Sequence, residues 1–93
     1  MLKRTKIVCT VGPVSETPEI LKKMVKGGMN VARLNFSHGT HAWHGKIIKI
    51  IKKLSRDLGQ PIGIIADLQG PRIRVGELPG AGVKLTPKDQ VIL

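Results

Sequence analysis

Apolar positions along the chain fall into alternating short blocks. "TKIVCTV", residues 5 to 11, is rich in β-branched residues and stops at Gly12-Pro13, the profile of a short buried strand. Thr17 and Pro18 then supply an N-cap and a first helical residue, and Ile20, Leu21, Met24 and Val25 share one helical face until Gly27-Gly28 ends it. Residues 30 to 36 return to strand character, and "SHGT" is a loop with a cap at Thr40. Ile47, Ile48, Ile51, Leu54 and Leu58 follow at helical spacing, stopped by Gly59-Gln60-Pro61. "IGIIAD", residues 62 to 67, is a third near-continuous apolar strand closing on an acid. This βαβαβ order, with strands that lack strict polar alternation, predicts an α/β fold: a parallel sheet covered by helices and joined by right-handed crossovers.

After Gly70-Pro71 the pattern changes. "RIRVGEL" alternates charged and apolar residues, "PGAG" is a turn, and "VKLTPKDQVIL" reads as antiparallel β structure. The expected division is an α/β unit over residues 1 to 74 and the start of an all-β unit over 75 to 93. The third strand is left with an open edge and the β segment with no partner sheet, which is the layout of the front of a longer protein.

Within the second strand, Arg33, Asn35 and Ser37 share one face by the period of two, while Ala32, Leu34 and Phe36 point toward the helices. Ligands of open α/β sheets and of (β/α)₈ barrels gather at the carboxyl ends of the strands. Gly12, Asn35 with Ser37, and Asp67 close the three predicted strands. Arg33 either pairs with Asp67 across adjacent strands or is held for a phosphate or carboxylate. Asn35 and Ser37 taken singly are ordinary turn formers, and the signal lies in their joint placement.

Composition sharpens this picture. Sixteen Lys and Arg against six Asp and Glu give a net charge of +10, which favours anionic partners. Nucleic acid is disfavoured, because base stacking wants aromatic side chains and only Phe36 and Trp43 are present, with no Tyr. The lysines of residues 46 to 56 read as the solvated face of a helix, and Trp43 as a packing residue. Cys9 is the single cysteine, so no internal disulfide forms; a small buried hydrophobe in a reducing, cytoplasmic compartment is expected. The apolar run at the start is too short for a signal peptide or a membrane span. His38, His41 and His44 recur every third residue without a nearby cysteine and read as histidines at a helix start rather than as a zinc site. No phosphate-binding Walker sequence occurs, and Gly80-Ala81-Gly82 is a turn.

Three stretches, "TKIVCTVGP" (5 to 13), "GGMNVARLNFSHGTH" (27 to 41) and "IIADLQGPRIRVGEL" (64 to 78), resemble in order and spacing the first three strand-end motifs of pyruvate kinase. The resemblance implies part of a (β/α)₈ barrel, with the inserted β domain of that family starting near residue 75. It further implies transfer of the phosphoryl group of phosphoenolpyruvate to ADP, giving pyruvate and ATP in glycolysis, by a full-length homotetramer. Carried over position by position, Arg33 contacts the transferring phosphoryl group, Asn35, Phe36, Ser37 and His38 lie against the nucleotide, and Arg74 reaches its phosphates. Asn35, Ser37, Asp67 and the Leu68 carbonyl form a monovalent-cation site. The catalytic Lys and the Mg²⁺ ligands are expected beyond residue 93, so that these residues alone turn nothing over. One departure stands out: many potassium-dependent members have Thr-Lys after the aspartate and an acid after Gly-Pro, where this chain has Leu68-Gln69 and Arg72. An Arg72 cation near Asp67 is expected to replace K⁺. The competing expectation, from another class, is a self-associating or basic phosphate- or nucleic-acid-binding module without catalysis.

Overall fold

The computed structural model describes residues 3–92; Met1, Leu2 and Leu93, at the limits of the two expected units, lie outside it. Strand β1 (Ile7–Thr10), helix α1 (Pro18–Gly27), strand β2 (Met29–Asn35), helix α2 (His41–Leu58) and strand β3 (Gly63–Asp67) follow one another, with a 3-10 turn at Pro13–Ser15. The strands form one parallel sheet in the order β1-β2-β3.

Local chemistry sets the helix limits. The Thr17 hydroxyl accepts from the Ile20 amide at 3.3 Å with Pro18 as the first helical residue, and the Thr40 hydroxyl accepts from the Trp43 amide at 3.1 Å. Helix α2 stops at Gly59, whose left-handed backbone (φ 61°) lets its amide turn back to the last carbonyls. On the solvent face of α2, Lys53 reaches Asp57 at 2.8 Å, and that hydrogen bond, helped by the charges of Arg56 and Lys22, holds the Asp57 carboxyl below its usual range.

Helical spacing sends His44, Ile47, Ile51 and Leu54 of α2 and Leu21 and Val25 of α1 onto the sheet. There they meet Val11, Met29, Ala32 and Leu34, and Leu21, Ala32, Leu34 and Ile47 lose all contact with solvent. Each fully buried Leu or Ile contributes about 1.5–3 kcal/mol, so this one layer holds the unit together. Cys9 packs half-buried at its edge. The other face of the sheet is uncovered, leaving Val8 and Ile65 exposed beside the polar side chains of β2.

Two features depart from expectation. β2 begins at Met29 and carries one extra residue against β1: Ile7 faces Met29, but Val8 already faces Val31. The intervening Asn30 uses its side-chain oxygen to accept from the Ile7 amide at 2.9 Å and from Lys3 Nζ at 3.0 Å. Second, the antiparallel strands expected from residue 75 onward do not form. Residues 68 to 92 hold turns but no strand, and Ile73, Val75, Leu85 and Ile92 are exposed. Alternation prepares a strand for a sheet, yet among the described residues no second sheet is present to accept these backbone groups.

Candidate functional site

At the carboxyl ends of β2 and β3 the polar face of the sheet opens into a cavity of about 320 Å³. Parallel pairing brings Arg33 beside Ile65 and Asn35 beside Asp67, while on the other side Thr10 lies beside Arg33. One guanidinium therefore spans all three strands. Arg33 donates through Nε and Nη2 to one oxygen of Asp67, at 2.9 and 2.6 Å, and through Nη1 to the Thr10 hydroxyl at 3.0 Å. Arginine carries five N–H groups, so roughly two remain for another acceptor. The pair is a third to a half exposed (33% and 47%), so it stabilises weakly and orients strongly.

Beyond Arg33 the backbone leaves the sheet in a tight, hydrogen-bonded turn. The Phe36 amide bonds to the Asp67 carbonyl at 2.9 Å, extending the ladder by one step. Asn35 Oδ1 accepts from the Ser37 amide at 3.0 Å, and the His38 amide returns to the Asn35 carbonyl at 3.2 Å. Ser37 and His38 thereby stand exposed at the mouth. The far wall is the chain after β3, where Leu68, Gln69, Arg72 and Arg74 line the cavity. Three guanidiniums and one carboxylate thus face a common space, a balance that attracts anions.

Of the residues expected here, Arg33, Asn35, Ser37, His38, Asp67, Leu68, Arg72 and Arg74 all line this cavity. Phe36 does not: the alternation of the strand carries its ring to the helix side, stacked on His44 with centroids 4.3 Å apart. Asp67 pairs with Arg33 rather than with Arg72, which forms no ion pair among the described residues. Thr10 carries no functional signal in the sequence, and its role becomes visible once the strand register sets it beside Arg33. The three histidines part company: His38 and His41 are exposed, and His44 is buried. Trp43 packs half-buried and donates its indole N–H to Glu16 at 2.5 Å, tying the loop after β1 to the start of α2.

Residues 2–93 match the family model described as pyruvate kinase, barrel domain. A pyruvate kinase of Chlamydia muridarum is 50% identical over 93 residues, all of this chain and 19% of the relative. One from Sporosarcina psychrophila is 46% identical over 90 residues, 97% of this chain and 15% of the relative. The pyruvate kinase of Trypanoplasma borreli is 44% identical over 93 residues, all of this chain and 19% of the relative. The chain spans 15–19% of the length of these curated relatives.

Proposed function

The chain belongs to the pyruvate kinase family, and on that premise we propose that its cavity receives the phosphates of phosphoenolpyruvate and ADP. It would do so as one sector of a cytoplasmic (β/α)₈ barrel enzyme that makes pyruvate and ATP. The observation that carries this reading is the Arg33 guanidinium, fixed by Thr10 and Asp67 with N–H groups to spare and flanked across the cavity by Arg72 and Arg74. Phosphoryl transfer mainly requires positioning and neutralisation of charge, and a guanidinium held by two neighbouring strands supplies both without reorganising. Asn35, Ser37 and His38 form the rim on which the nucleotide would lie, and Arg74 would reach its phosphates.

On the same reading, this cavity suits a resident monovalent cation poorly. No group of three or more His, Cys, Asp or Glu converges among the described residues. Asn35, Ser37, Asp67 and the Leu68 carbonyl do offer oxygen donors around one cavity, but one Asp67 oxygen is taken by Arg33. With three arginines facing the same space, a potassium ion would meet net repulsion, and the positive charge it would bring is already provided. Arg72 is the residue that would stand in for it.

Titration of the ¹⁵N-labelled chain with ADP tests both parts, run in potassium chloride and in tetramethylammonium chloride of equal ionic strength. Saturable shifts confined to residues 33 to 38 and 67 to 74, with equal affinity in the two salts, are expected. Shifts spread over the lysines of α2 would instead favour a basic module, and affinity at least about tenfold higher in potassium would overturn the role of Arg72.

A further inference from the structure

His44 lies in the first turns of α2, 4% exposed, with its ring stacked on Phe36 and set edge-on to Trp43. Its Nε2 is 2.7 Å from the carbonyl oxygen of His38. A carbonyl only accepts, so Nε2 carries the hydrogen, and this assigns the tautomer. In the neutral ring Nδ1 is then an acceptor, and it is buried with no hydrogen-bond partner. An orphaned buried acceptor is unfavourable, and leucine at this position would avoid it entirely. What imidazole offers that leucine does not is the Nε2–H, and that hydrogen is directed at the loop bearing Ser37 and His38.

The loop is shaped to meet it. Gly39 has φ 75°, and a side chain there would bring its first carbon to 3.2 Å from His44 Nε2. Glycine thus permits both the left-handed turn and the close approach of the ring. Phe36 closes the clasp from the strand side. The rim is therefore gripped by a residue that does not itself line the cavity, through the backbone carbonyl of one that does.

We propose that His44 is a positioning residue for the phosphate-receiving rim: its Nε2–H fixes the His38 carbonyl, and with it the outward set of the Ser37 and His38 groups. The functional half of this proposal rests on reading the cavity as an ADP site; the structural half does not.

Two variants of the full chain separate positioning from packing. His44→Gln keeps an amide N–H near the place of Nε2 but lacks a ring, whereas His44→Leu keeps apolar bulk and loses the donor. Positioning predicts that hydrogen exchange at the Ser37 and His38 amides, both bonded to Asn35, speeds up about tenfold in His44→Leu and stays near the original rate in His44→Gln, the scale of one hydrogen bond. ADP affinity should follow the same order. The reverse order, with leucine preserving the loop and glutamine loosening it, overturns the proposal. If the leucine variant does not fold, the unsubstituted chain still decides: long-range ¹H–¹⁵N spectra must show the hydrogen on Nε2, and finding it on Nδ1 overturns the assignment. Loop loosening without any ADP binding by the unsubstituted chain would leave the clasp standing and remove the ADP reading; ADP binding with an unaltered loop in His44→Leu would do the opposite.

Discussion

Arg33 shows how one side chain serves fold and site together. Its guanidinium draws three strands to a point and still faces an open cavity. Lysine would keep the charge but not the fork, so Arg33→Lys should lose the contact to Thr10 or to Asp67. Because the pair is partly exposed, urea denaturation of the variant should show a loss of only about 0.5–1 kcal/mol. An unchanged midpoint would mean that the bridge contributes no stability. The polar face of β2 was legible in the sequence because a period of two is a property of any strand, and because Asn35 and Asp67 stood at predicted strand ends. Thr10 and His44 were not. The partner of Thr10 depends on the pairing of β1 with β2, and a histidine at a helix start looks the same whether water or Phe36 surrounds it.

Elements succeed or fail by whether they find a neighbour. Both helices were readable from apolar spacing and caps, since Thr17, Thr40 and Gly59 act through their own backbones. Residues 75 to 92 have comparable alternation but no second sheet to join among the described residues, and a pattern cannot create the partner that would make it a strand. In the packed layer the most exacting position is Leu34, fully buried on β2 between Arg33 and Asn35. Leu34→Ala should cost about 2–5 kcal/mol through lost transfer free energy and the cavity left behind. Thermal melting followed by circular dichroism should show an unfolded or barely folded chain, and a melt like that of the unsubstituted protein would mean that the helices do not depend on this contact.

The whole molecule measures 56 × 31 × 25 Å with a radius of gyration of 18.1 Å, whereas a compact chain of its length would have about 12 Å. The excess comes from residues 68 to 92, which leave the sheet and stay exposed. Brief trypsin treatment should therefore cut first at Arg72, Arg74, Lys84 or Lys88 and leave a product ending near residue 72, as read by mass spectrometry. Early cuts at Lys46 or Lys49 would show instead that α2 is no firmer than this segment. At the opposite end of the sheet from the cavity, the extra residue in β2 has a distant effect. Counting one for one from Ile7 and Met29, with Asn30 paired to Val8, would set Thr10 against Ala32; because Asn30 is bulged out of the pairing, Thr10 meets Arg33. The mouth is thus tuned like a string from its peg: a lesion at Asn30 or Lys3, touching no ligand, would detune the guanidinium by letting one strand slip a notch past the next.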